Sequence, residues 1–138
     1  SGAQAQKRFC DQILQLRTLA PQDFRSIDRG HENGAEAGIH VSSVQLSNDG
    51  CEINRFSNGT SGYSCGWMFP VASVEARFRE TGRRIADCLQ LRPDWMTHED
   101  GTSELNLESG HVRYHLEIDA YDIGDEGGFT LMVSVLKP

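Results

Sequence analysis

Apolar positions recur along this chain with two periods, and the change of period marks its elements. Between residues 5 and 19, Phe9, Ile13 and Leu16 share one face, with Cys10 and Leu14 beside them. That spacing predicts an amphipathic helix. Pro21 ends it or starts a short extra turn through Phe24 and Ile27. Val74, Phe78, Thr81, Ile85 and Cys88 are spaced by 4, 3, 4 and 3, which is the seam of a second helix. On its wet side Glu75 with Arg79, and Glu80 with Arg84, are i,i+4 pairs. Pro93 closes this helix.

Elsewhere the period is two. Tyr63, Cys65, Trp67 and Phe69 alternate with Ser64, Gly66 and Met68, as in a half-buried strand. Gly66 fits a bulge or a close backbone approach. Residues 39–46 and 51–56 flank Asp49-Gly50, a strong hairpin pair, which sets Leu46 opposite Ile53. Asn58-Gly59-Thr60 is the next turn. Later, Leu105 and Leu107 suggest one strand. Val112, Tyr114, Leu116 and Ile118 mark a second, and Phe129, Leu131, Val133 and Val135 a third. Ser109-Gly110 and Gly124 to Gly128 supply the turns between them. The stretch DRGHENGAEAG, residues 28–38, is polar with three glycines and reads as a mobile loop.

The expected fold is therefore α+β. About six antiparallel strands follow the order helix-βββ-helix-βββ, and both helices pack on one face of the sheet. This order resembles that of small chaperone-like and inhibitor-like domains, a likeness of fold alone. The tetrapeptide LQLR occurs at residues 14–17 and 89–92, thin support for two similar halves. A length of 138 residues suits one domain spanning 1–138. Residues 1–6, SGAQAQ, read as a disordered tail: small residues of the kind that flank a signal-peptidase site, or a cloning scar.

Composition narrows the function. Charged residues make up 24% and the net charge is −7, so a phosphate backbone is a poor partner. No run approaches the ~20 apolar residues of a membrane helix. Four cysteines, none in a C-x-x-C pair, suit two disulfides in an oxidising, extracytoplasmic setting, periplasmic or secreted. Cys10 and Cys88 lie on helix seams; Cys51 and Cys65 share an inward parity on neighbouring strands. We expect Cys10–Cys88 and Cys51–Cys65, although four cysteines permit three pairings and the sequence does not choose among them.

Several motifs invite chemistry. GYSCGW, residues 62–67, matches G-x-S-x-G. A nucleophile elbow needs a helix directly after its serine, whereas the alternation here runs straight through Ser64. On paper Asp100 and His111 complete a triad. The run Ser64-Cys65-Gly66-Trp67 is similar to the cysteine neighbourhood of papain-like proteases, whose cysteine begins a helix in a much longer chain. A core-facing strand is the better reading of both. His111 and His115 share a parity with Arg113, Glu117 and Asp119. Either histidine with Glu117 could hold a metal, but strand residues four apart stand roughly 13 Å from each other, so a solvated face is expected and no metal. The acidic stretch Asp119, Asp122, Asp125, Glu126 misses the D-x-D-x-D-G calcium pattern and reads as a polar hairpin tip. Asn58-Gly59-Thr60 is a glycosylation sequon on a turn that already demands Asn-Gly. Arg77, Arg79, Arg83 and Arg84 form a basic helix side stitched to Glu75 and Glu80.

No nucleophile–base pair, cofactor motif or metal set stands out. The expectation is a non-enzymatic, extracytoplasmic protein-binding module, with an inhibitor, immunity-type or assembly role. Its protein partner would be held by His31, Glu32 and Asn33 of the polar loop and by Asp119, Asp122, Asp125 and Glu126 of the acidic tip, because binding residues concentrate on loops. The alternative is a small hydrolase or metal-dependent enzyme using Ser64, His111, His115, Asp119 and Asp122. The sequence leaves the partner and the oligomeric state open.

Overall fold

The two helical seams become α1 (Gly2–Leu19) and α2 (Val74–Leu89) in a computed structural model that describes residues 2–119 and 124–136. Every residue of the α2 seam, Val74, Phe78, Thr81, Ile85 and Cys88, is buried. So are Phe9, Ile13 and Leu16 of α1. Residues 2–6, expected as a tail, belong to α1, because Gln6 has partners to hold: its amide oxygen accepts from Arg84 Nε at 2.8 Å. Pro21 sits in a short 3-10 turn, Ala20–Gln22, directly after α1.

Eight strands form one antiparallel sheet: β1 (Asp28–His31), β2 (Ile39–Ser42), β3 (Cys51–Arg55), β4 (Ser61–Pro70), β5 (Trp95–Thr97), β6 (Ser103–Ser109), β7 (Val112–Ile118) and β8 (Glu126–Val135). Their order in space is β1-β2-β3-β4-β8-β7-β6-β5. The α+β class holds, and the strand count rises from six to eight. The chain runs helix-ββββ twice, and the strand order mirrors itself about the β4–β8 seam. The LQLR copies do not correspond in this arrangement. The first lies inside α1, whereas the second starts at the last residue of α2.

Two short edge strands account for the difference in count. β1 arises inside the polar segment 28–38, and the rest of that segment is closed by its own backbone hydrogen bonds, Glu32 N–H to Ile39 and Ile39 N–H to Glu36. β5 has three residues, and its Trp95 rests on Gly82 of α2, where a Cβ would come within 2.5 Å of the ring. The β1 pairing register shifts between Asp28 and His31. A bulged edge and a very short one both resist pairing with other chains.

The β2–β3 register also differs from expectation. His40, not Leu46, lies opposite Ile53. The chain leaves the sheet after Ser42, whose hydroxyl accepts from Val44 N–H at 3.1 Å. The Gln45 side chain then takes the place of a strand, accepting from Cys51 N–H and donating to the Cys51 carbonyl, both at 2.8 Å. Asp49-Gly50 is thus the end of a longer connection rather than the centre of a tight hairpin.

One sheet face carries both helices and the core. Ile53, Tyr63, Cys65, Leu105, Tyr114, Leu116, Phe129 and Leu131 are each at most 1% exposed. Burying a Leu, Ile or Phe side chain contributes about 1.5–3 kcal/mol, so this face dominates the stability. Phe129 stacks on Trp67 and Phe69 and meets Phe78 of α2 edge-on. Two bridges fasten elements within each layer, Cys10–Cys88 between the helices and Cys51–Cys65 across β3 and β4. No described helix is long and apolar enough to cross a membrane.

Candidate functional site

Among the described residues no helix lies on the other face of the sheet, and strand alternation decides what it shows. With Ile53, Cys65, Leu105, Tyr114 and Leu131 inward, the outward positions are Glu52 and Asn54 on β3, Gly62, Ser64, Gly66 and Met68 on β4, and Thr130, Met132 and Ser134 on β8. Arg113, His115 and Glu117 follow on β7, and Glu104, Asn106 and Glu108 on β6. The central strands carry small residues there, and methionine thioethers fold over them. A Cβ at Gly62 would meet Met132 Sδ at 2.7 Å, and one at Gly128 would meet Met68 Sδ at 2.8 Å. Gly66 differs: a Cβ there meets nothing within 4 Å, and the β4–β8 register runs through it unbroken, so it marks neither a bulge nor a close approach.

Ser64 sits in the middle of β4, within a regular strand and not on a strand-to-helix turn. Its hydroxyl accepts from the Asn54 amide at 2.9 Å. His115 shares its row, but Met132 lies between them, opposite both. Two strand spacings put the pair about 10 Å apart. His111 belongs to the β6–β7 turn with positive φ, not to the strand face with His115. Asp100 caps the turn before β6 by accepting from Thr102 N–H and Oγ1. The triad on paper is thus spread over three places.

Cavities indent the open face and the ends of its strands. One of about 320 Å³ lies beside the Cys51–Cys65 bridge and is lined by Glu32, Asp49, Glu52, Ser64, Gly66 and Thr130, among others. Burial, with the charge of Glu32 nearby, pushes the Glu52 carboxyl above its usual range. Another, of about 410 Å³, lies at the end of the sheet where β4 begins and β8 ends, between Asp23, Phe56, Thr60, Ser61, Met132 and Val135. Phe56 and Val135 are 46% and 44% exposed, so this end offers apolar surface.

The residues expected to bind are not brought together. Glu32 reaches the smaller cavity, while Asn33 is exposed and His31 donates from Nε2 to the carbonyls of Ala35 and Glu36, each at 3.2 Å. The loop 32–38 leaves the sheet near the start of β4, where Ile39 pairs with Asn54 and Asn54 with Gly62. The acidic tip belongs to the other end, where Glu126 pairs with Pro70. Eight strand steps separate Gly62 from Pro70, about 25 Å. Asp119 accepts from Thr130 Oγ1 at 3.1 Å, and Asp125 and Glu126 are exposed; Asp122 lies outside the described residues.

Two polar clusters go beyond the sequence reading, which saw only His115 with Glu117 of the second and set that pair aside. On the core side of the sheet, Asp28 accepts from Arg55 Nη2 at 2.7 Å, from Gly30 N–H at 2.7 Å and from His40 Nδ1 at 2.8 Å. Burial works against its charge, but these donors outweigh burial and hold the carboxyl at about 2. Arg55 also donates to the carbonyl of Asp23 and to Ser61. On the open face, Glu104 and Glu117 lie directly opposite each other. His98 Nε2 is 3.0 Å from Glu104 Oε2, and His115 Nε2 is 3.8 Å from the same oxygen. The hydrogen bond from His98, more than the charges around it, holds the Glu104 carboxyl below its usual range.

The basic side of α2 is engaged with aromatic rings. Arg77 lies over Phe69, Arg79 over Trp95 and Arg84 over Phe9. Glu75 pairs with Arg79 as expected, but Glu80 pairs with Arg77, because Arg84 turns to Gln6. Comparison with known proteins finds no matching family model, no similar curated protein and no similar solved structure.

Proposed function

We propose that the protein is a non-enzymatic, extracytoplasmic protein-binding module that holds a partner of basic surface on its open sheet face. One observation carries this reading: the charges are segregated. Outward positions of β3 to β8 hold Glu52, Glu104, Glu108, Glu117 and Glu126 against a single Arg113. The helices on the opposite side hold Lys7, Arg8, Arg17, Arg77, Arg79, Arg83 and Arg84 against Asp11, Glu75, Glu80 and Asp87, a basic excess. An acidic face steers basic partners and repels acidic ones. The apolar cleft at Phe56 and Val135 supplies an anchor of the kind that carries binding energy. Two disulfides favour the periplasm or the cell exterior. Ser64, engaged by Asn54 and about 10 Å from His115, gives little support to a hydrolase.

The test has two stages. Pull-downs from the envelope and secreted fractions of the source organism identify a partner, and calorimetry on the purified pair follows. Reversing Glu52→Arg with Glu108→Arg weakens binding at least tenfold and flattens its salt dependence, whereas Arg83→Glu on the helix side leaves it unchanged. Recovery of the protein alone in repeated pull-downs overturns the reading. So does a partner whose affinity ignores the open-face reversals.

A further inference from the structure

The β6–β7 hairpin places two carboxylates where a sheet ordinarily avoids them. Glu104 and Glu117 are directly opposed on the open face. Like charges in that relation destabilise a strand pair. What surrounds them is a convergence of donor atoms from three elements. His115, two residues before Glu117 on β7, points Nε2 at both carboxylates, 3.8 Å from Glu104 Oε2 and 4.0 Å from Glu117 Oε2. One ligand atom from each of Glu104, His115 and Glu117 lies within 4.8 Å of the others. From the connection after β5, His98 approaches the same Glu104 oxygen at 3.0 Å.

We propose that Glu104, His115 and Glu117 bind one divalent transition-metal ion, with zinc the best match, and that His98 orients Glu104. The argument is one of donor type, charge and reach. Two carboxylates leave a charge of −2 that a divalent ion cancels, which turns the opposed pair from a repulsion into a clamp. An imidazole nitrogen beside two carboxylate oxygens suits zinc and its neighbours, whereas calcium and magnesium prefer oxygen alone. Zinc holds nitrogen and oxygen ligands at about 2.0–2.2 Å, so tetrahedral ligand atoms stand about 3.3 Å apart. Spacings of 3.8 and 4.0 Å close to that value through small rotations of two glutamate side chains. Three protein ligands on a solvated face leave the remaining position to water, the pattern of an open zinc site. A ligating carboxylate is ordinarily held by a hydrogen bond of its own, the part His98 plays. Either strand alone supplies too few ligands; the cross-strand register completes the set. The site draws Glu104 and Glu117 from the acidic face proposed above, but zinc binding to the isolated chain is read without any partner, so the two proposals fail separately.

Calorimetric titration of the metal-stripped, disulfide-intact chain with zinc chloride at pH 7.5 tests the proposal, with calcium and magnesium chlorides in parallel. The expected result is one equivalent of zinc, bound at least tenfold more tightly than calcium or magnesium. His115→Ala and Glu117→Gln each weaken zinc at least tenfold, while His31→Ala does not. Zinc raises the thermal midpoint of the parent chain but not of His115→Ala. Should a variant fail to fold, zinc-induced movement of the His115 Nε2 resonance in the parent reads the same contact. Absence of zinc binding, binding unaffected by both ligand variants, or an unmoved His115 resonance overturns the proposal.

Discussion

The hydroxyl of Tyr114 donates to the carbonyl of Ile13 at 2.6 Å, joining residues 101 apart in the chain. Tyr114 is on β7, in the second helix-ββββ unit, and Ile13 is in the helix that opens the first. Arg17, one turn further along α1, donates to Ser109 at 2.9 Å beside the same hairpin. The first helix is thus fastened to strands of the other unit, and the two units form one core. Burial pushes the Tyr114 phenol well above its usual range, so the bond persists at any ordinary pH.

Tyr114→Phe keeps the ring and removes this bond. It is expected to lower stability by about 1–2 kcal/mol. Urea unfolding followed by circular dichroism measures it, with the slope unchanged. A variant as stable as the parent would show that the hydroxyl merely fills space.

Asp28 predicts an acid limb. Its carboxyl is held at about 2 in the folded chain, below the ordinary 3.8 of an aspartate. A depressed folded pKa contributes stability above the unfolded pKa, and that contribution is lost as pH falls through the folded value. The window is therefore about pH 4 down to about pH 2, and the contribution is about 2 kcal/mol. Asp28→Asn should cost about that much at pH 6 and progressively less below pH 4. Urea midpoints of both proteins at pH 6, 4, 3 and 2 check it; a gap that stays constant with pH rules out the linkage.

The same residues show what the sequence could disclose. The α2 seam and the alternation through Tyr63, Cys65 and Trp67 were legible because burial imposes a period on the chain. The edge strand holding Asp28 was not, because Asp28, Gly30 and His31 are polar and short strands without apolar alternation look like loops. Trp95 to Thr97 failed to show because three residues are too few to display an alternation. The open-face cluster was hidden by a two-residue shift in pairing. Ser109-Gly110 was the natural turn pair, yet Gly110 and His111 are the two residues with positive φ at the tip. Centring the hairpin on them sets Glu104 opposite Glu117 instead of His115. A His followed two residues later by a Glu is common; only the neighbouring strand makes it a ligand set.

The two bridges differ in the loops they close. Cys10–Cys88 spans 78 residues and Cys51–Cys65 spans 14. In the chain-entropy treatment their removal costs about 4 and about 3 kcal/mol. Paired serine substitutions, compared by urea unfolding, are expected to fall in that order. Peptide mapping of the unreduced chain should recover both bridges. A larger loss from the shorter loop would mean that contacts such as Gln45 with Cys51, and not chain entropy, set the cost.

Gly82 and Gly66 should answer differently to the same change. Helix propensity alone favours Gly82→Ala by about 1 kcal/mol, since Gly82 lies inside α2. A methyl there, however, comes within 2.5 Å of Trp95 Cη2 and 3.0 Å of Leu105 Cδ2. Trp95 has little room to yield, because Phe78 packs on one side and the Arg79 guanidinium lies 4.6 Å from its ring. Overpacking of this kind costs about 1–3 kcal/mol, so the net effect is a loss of about 1 kcal/mol with β5 loosened from the helix. Gly66→Ala adds its methyl to open space on a strand, where glycine is itself unfavourable, and should be neutral or stabilising by a few tenths of a kcal/mol, order of magnitude. Thermal midpoints of the two variants, with tryptophan fluorescence reporting on Trp95, separate the outcomes. Gain of stability at Gly82 would mean that the Trp95 ring moves aside freely and that its seat on α2 is not what holds the edge strand β5 in place.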